Sequence, residues 1–143
     1  MNNDESDSRQ IYIPSHDETR LRELLLVAEE FDESNAVFLR ELREELDRAC
    51  ILPPDEIPPY VVTMNTRFRL IDQDSGEEQV LTLVFPGEAE EGLRKLSILS
   101  EIGVSVIGFS SGDTVLVPFP DGPRHCRIDT IYFQPEATRQ YKL

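Results

Sequence analysis

Residues 96–113 read LSILSEIGVSVIGFSSGD. Gly103, Gly108 and Gly112 punctuate an apolar run, with Ser100 before it and Asp113 after it. Ile102 to Ile107 is apolar nearly all round, as a short helix buried against a sheet is. Gly112 with Asp113 is turn chemistry. The spacing predicts a short buried helix with a tight turn on either side.

The flanks read as strands. Val61 to Met64, Arg67 to Ile71 and Val80 to Phe85 precede the block, with the DQDSGEE turn between the last two. Pro86 to Lys95 is a polar loop, and Leu96 to Leu99 is again extended. Val115 to Phe119 and Cys126 to Phe133 follow, joined through Pro120, Asp121, Gly122 and Pro123. Five or six strands with one short helix make an α+β sheet domain over residues 61–143.

The N-terminal half has a different period. Residues 1–14 are mostly polar and are expected to be a flexible segment, with a short extended piece at Ile11 to Ile13. Ser15 and Glu18 have capping-box spacing. Leu21, Leu24, Leu25 and Ala28 then share one helical face. The pattern breaks near Phe31 to Asn35 and resumes at Ala36, Leu39, Leu42, Leu46 and Ala49. Residues 15–52 therefore read as a short antiparallel helical hairpin, each arm about 20–24 Å long. Pro53 and Pro54 are expected to end its second helix, and residues 53–60 form a proline-rich linker.

The net charge is −14, and the asymmetry matters more than the total. Sixteen of the 28 acidic side chains but six of the 14 basic ones lie in residues 1–59, a formal −10 against −4 for the remainder. Such a surface opposes approach to phosphates, so no direct nucleic-acid binding is expected. A basic protein surface or a metal-rich cleft is a more natural partner. No run of about 18 apolar residues is present, so no membrane helix is expected. The start, MNNDESDSRQ, is the opposite of a signal peptide, and a soluble cytoplasmic protein is expected.

Candidate chemistry is sparse. The hairpin turn gathers Glu29, Glu30, Asp32 and Glu33, which could contribute ligands to a divalent metal held elsewhere or could be a solvated loop. Cys50, Cys126, His16 and His125 show no metal-ligand spacing, so no metal site and no cofactor are expected. Both cysteines are expected to be reduced thiols, Cys50 at a helix end and Cys126 in a strand. No serine has a nucleophile-elbow setting, and the glycines are not a phosphate loop. A non-enzymatic binding protein is the expectation.

The block 96–113 resembles the signature of the C-terminal domain of the bacterial Gre transcript-cleavage factors. ELDRA at 45–49, VVTMN at 61–65, LTLVFP at 81–86 and QPEA at 134–137 are closer still to the Rnk-like branch of that family, the regulators of nucleoside diphosphate kinase. The likeness covers about residues 42–137. It implies an FKBP-like sheet domain that docks on the rim of the RNA polymerase secondary channel, with a long coiled coil that enters the channel in the Gre factors and a much shorter hairpin that does not reach the catalytic centre in the Rnk-like branch. By resemblance, Ser100, Glu101, Ile102, Gly103 and Asp113 are the polymerase-binding residues, and Glu29, Glu30, Asp32 and Glu33 correspond to the acidic tip. Glu101 stands where the family has a proline. The implied function is a polymerase-binding transcription regulator that competes with Gre factors. Two alternatives stand beside it: a cleavage-stimulating factor using the acidic turn, and a regulator binding nucleoside diphosphate kinase without polymerase. A peptidyl-prolyl isomerase is suggested by fold analogy alone.

Overall fold

The structure, a computed structural model, describes residues 9–31 and 33–139, and the side chains of all of these but 30, 31 and 33. The helical region comes first. Helix α1 spans Ser15–Phe31 and α2 spans Ala36–Arg48, with a 3-10 turn at Glu33–Asn35 between them. Leu21, Leu25 and Ala28 of α1 and Leu39, Leu42 and Leu46 of α2 are all buried, as their spacing requires. Arg22 pairs with Asp47 at 2.9 Å and Arg43 with Glu29, so the arms run antiparallel.

Two short strands clamp the base of this hairpin. Strand β1 (Tyr12–Pro14) and strand β2 (Cys50–Leu52) pair in parallel, in register Ile13 with Ile51. Part of the segment expected to be flexible is therefore ordered: Ile11 and Ile13 are fully buried, while residues 1–8 lie outside the described residues. Cys50 sits in a strand, not at a helix end, and α2 stops at Arg48 before any proline is reached. The cause is tertiary, because the Cys50 N–H donates to the Ile11 carbonyl at 2.9 Å and turns the chain outward. Between β2 and the sheet, Pro54–Glu56 makes a 3-10 turn and Ile57 is buried.

The main sheet has the order β5-β4-β3-β7-β6, with β3 Arg67–Asp72, β4 Glu78–Val84, β5 Lys95–Ser97, β6 Thr114–Phe119 and β7 Gly122–Phe133. All its pairings are antiparallel except β4 with β5, which is parallel. Helix α3 (Glu101–Val106) leads from edge strand β5 to the opposite edge strand β6 and packs on the core. Val61 to Met64 does not form the expected strand. Val62 pairs instead with the turn after α3, donating to the Phe109 carbonyl and accepting from the Gly108 N–H, each at 2.8 Å. The chain then turns at Asn65, whose φ of 67° lies in the left-handed region that asparagine tolerates. Two 3-10 turns, Pro86–Glu88 and Glu91–Leu93, organise the loop before β5.

Candidate functional site

The block 100–103 is built as its residue types require. Ser100 has extended backbone and is the N-cap of α3: its Oγ accepts the Gly103 N–H at 3.0 Å and donates to the Ser97 carbonyl at 2.7 Å. Glu101 opens the helix and is half-buried, a favourable place for a carboxylate at the positive helix end. Ile102 points inward and is 8% exposed. Gly103 is buried against the strand before it, and a Cβ there would stand 2.5 Å from the Ser97 carbonyl oxygen. Ile102 and Gly103 therefore belong to the packing of α3, and Ser100 and Glu101 form its accessible end. Ser100 also lines an open cleft of about 380 Å³ with Gln79, Glu90, Arg94 and Lys95.

Asp113 lies apart from that end, in the turn before β6. Its Oδ2 accepts the Ser110 N–H at 2.9 Å, its carbonyl accepts the Ile128 N–H at 2.9 Å, and its Oδ1 is 3.4 Å from Arg9. It is a turn-forming residue that also fixes β6 to β7. In the helical hairpin, Glu29 is exposed and pairs with Arg43. Asp32 lies outside the described residues, as do the side chains of Glu30 and Glu33, so the acidic turn cannot be assembled from them. Exposed Leu26, Val27 and Val37 lie on the outer surface of the two arms near this turn.

A third constellation escaped the reading by spacing. His16 and Asp17 at the start of α1 meet Glu136 in the 3-10 turn after β7. His16 Nε2 lies 3.4 Å from Asp17 Oδ1 and 3.2 Å from Glu136 Oε2. Asp17 is 1% exposed and Glu136 5%. Burial, reinforced by the neighbouring Glu136, pushes the Asp17 carboxyl up to about 7, against the opposing pull of the Met64 N–H and Arg20. Burial also lowers His16, against Glu136, and Arg20 lowers it further. Cysteine and histidine spacing along the chain carries no signal for this cluster. The residues that meet here are about 120 positions apart in sequence, and the only signal for them was QPEA beside VVTMN in the resemblance. Gln134 of QPEA donates to the carbonyls of Pro58 and Val61, both at 2.8 Å, and so brings these two segments together.

Residues 57–133 match the family described as "Transcription elongation factor, GreA/GreB, C-term". The chain is similar to the "Regulator of nucleoside diphosphate kinase" of Escherichia coli, 36% identical over 71% of this chain and 76% of that protein. It is also similar to the "Transcription elongation factor GreA" of Thermodesulfovibrio yellowstonii, 33% identical over 67% of this chain and 61% of the factor. Among solved structures, the GreA/GreB protein of Nitrosomonas europaea is 36% identical and superposes with a TM-score of 0.70, covering 86% of this chain and 99% of that one. These relatives are named as regulators or elongation factors. No described helix is long and apolar enough to cross a membrane.

Proposed function

This chain belongs to the GreA/GreB transcription elongation factor family, and we propose that it acts there as a transcription regulator that binds RNA polymerase. The observation that carries the reading is the extent of the family match. It spans the whole main sheet with α3, whereas the hairpin before it is short. With 17 and 13 residues, its arms are about 20–26 Å long.

The proposal divides the chain into a hairpin at 15–52, a link at 53–60 and an FKBP-like docking domain at 61–143. The docking domain contacts the rim of the secondary channel through Ser100 and Glu101 and the cleft beside them, with Ile102 and Gly103 seating α3 from beneath and Asp113 a separate contact in the turn before β6. The hairpin, a short coiled coil, stands at the channel mouth. Its acidic turn is too close to the docking domain to reach a catalytic centre that a longer coiled coil is built to reach. Competition with Gre factors follows, because both would occupy the same rim. The excess of negative charge in residues 1–59 supports a basic protein partner over nucleic acid.

Binding of the purified chain to core RNA polymerase, with and without a Gre factor as competitor, tests this reading. Competitive binding is the expected result, and no binding at micromolar protein would overturn it. An RNA-cleavage assay on the same complexes separates a regulator from a cleavage-stimulating factor: no stimulated cleavage is expected. One second reading has its own support in the name of the Escherichia coli relative. It is a regulator that binds nucleoside diphosphate kinase directly, and a pull-down with that kinase in the absence of polymerase distinguishes it.

A further inference from the structure

Two buried carboxylates and an imidazole meet where the helical hairpin joins the sheet. Each carboxylate is held by its far oxygen. The Met64 N–H donates to Asp17 Oδ2 at 3.0 Å, and the Thr63 hydroxyl donates to Glu136 Oε1 at 2.6 Å. The near oxygens, Asp17 Oδ1 and Glu136 Oε2, are thereby turned toward His16 Nε2, at 3.4 and 3.2 Å, and one ligand atom from each residue lies within 4.8 Å of the others. Glu136 Oε2 is buried and has no hydrogen-bond partner, although it stands 3.2 Å from the imidazole nitrogen. A buried carboxylate oxygen left in this way is costly, and a cation or a proton resolves it.

We infer that His16, Asp17 and Glu136 form a binding site for a first-row divalent cation such as Zn²⁺ or Mn²⁺, which pins the base of the hairpin to the sheet. The donor set is one imidazole and two carboxylates, which suits these borderline-to-hard cations and not the thiophilic ones. The spacing suits them as well. Ligands about 2.1 Å from a tetrahedral cation are about 3.4 Å from each other, and the His16 nitrogen stands 3.4 and 3.2 Å from its two neighbours. The Met64 N–H and the Thr63 hydroxyl do what outer ligands of metal sites do, fixing the direction of each carboxylate. Arg20 supplies one positive charge nearby, as its influence on both His16 and Asp17 indicates. The side chain of His16 retains partial exposure, which leaves an entry path and room for water to complete the coordination.

This site shares no residue with the accessible end of α3 and does not depend on polymerase binding. The full chain, stripped with EDTA, is the sample. Adding Zn²⁺ or Mn²⁺ at micromolar concentration is expected to raise its Tm by several degrees, with one equivalent bound by elemental analysis after desalting. Co²⁺ in place of Zn²⁺ is expected to give visible d–d absorption. Both signals are expected to disappear in Glu136→Gln, which keeps the acceptor for the Thr63 hydroxyl, and in His16→Gln, which changes the most accessible member. Should Glu136→Gln not fold, His16→Gln decides alone. An unchanged Tm with substoichiometric metal, or a shift and spectrum that persist in His16→Gln, would overturn the assignment, the latter because the metal would then sit elsewhere.

Discussion

Gly103, in the first turn of α3, lies against Ser97 at the end of β5 so closely that a Cβ would be 2.5 Å from the Ser97 carbonyl oxygen and 2.6 Å from that of Ile98. Neither obstacle is a flexible side-chain tip. Both are backbone, held by the N–H of Ile98 donating to Val84 and by the Ser100 hydroxyl donating to Ser97. Alanine is the better helix former by about 1 kcal/mol, yet Gly103→Ala is expected to destabilise by roughly 1–3 kcal/mol because α3 must lift from the strand. Urea denaturation followed by circular dichroism measures it. An unchanged or higher midpoint would mean that α3 is free to move.

Ile102 and its neighbour Glu101 separate folding from docking. Ile102→Asp puts a charge into the core and is expected to unfold the domain, so loss of polymerase binding in that variant carries no information about docking. Glu101→Lys changes only the half-buried end of α3. The expected outcome is a cooperative melting curve lowered by a few degrees at most, since the carboxylate at the helix start is lost, with polymerase affinity altered by at least several-fold. Affinity equal to wild type in Glu101→Lys would remove this helix end from the docking surface.

Cys126 is buried in β7 and Cys50 is half-buried in β2. Burial, with the nearby Asp72 and Asp74 outweighing Arg124, pushes the Cys126 thiol up to about 11. At pH 8 almost none of it is thiolate, and its access is closed, so it is expected to be inert to thiol reagents in the native protein. Intact-mass spectrometry after brief treatment with iodoacetamide is expected to show at most one adduct, on Cys50. Two adducts are expected only after denaturation.

Asp72 anchors the turn between β3 and β4. Burial by itself would push its carboxyl up. The N–H groups of Ser75 and Asp74, at 3.2 and 2.9 Å, and the Arg124 guanidinium at 3.3 Å more than offset this and hold it below its ordinary value. A carboxyl lowered by folding adds stability that is present above its unfolded value and fades as pH falls through the folded one. The protein is therefore expected to lose stability as pH drops below about 4, and Asp72→Asn is expected to lose less over the same interval. Urea midpoints at pH 6 and pH 3 test this. An equal acid loss in both proteins would show that Asp72 contributes nothing to it.

The helical hairpin was legible in residues 21–49 because its arms are periodic, and a periodic apolar stripe needs only local chain geometry to be read. The same holds for β3, β4, β6 and α3, where alternation or an all-round apolar run is bounded by turn residues. Val61 to Met64 misled for the converse reason. It is an apolar β-branched run, but its hydrogen bonds go to Gly108 and Phe109, whose position is fixed by the turn after α3. Likewise the strands at Tyr12–Pro14 and Cys50–Leu52 exist only as a pair, and neither is long enough to announce itself.

Of the proposed docking residues, the sequence by itself determined that a short buried helix would follow Ser100 and that the glycines would permit close packing, while the structure made Ser100 the cap of that helix. Only the tertiary structure decided that Ile102 and Gly103 face inward while Glu101 stands at the surface, because a run apolar on every side has no intrinsic inner face. The meeting of His16 and Asp17 with Glu136 was beyond any local pattern. Spacing along a chain reports neighbours within a turn or a strand. Two segments about 120 residues apart meet only when the sheet, the hairpin and Gln134 have closed the loop between them.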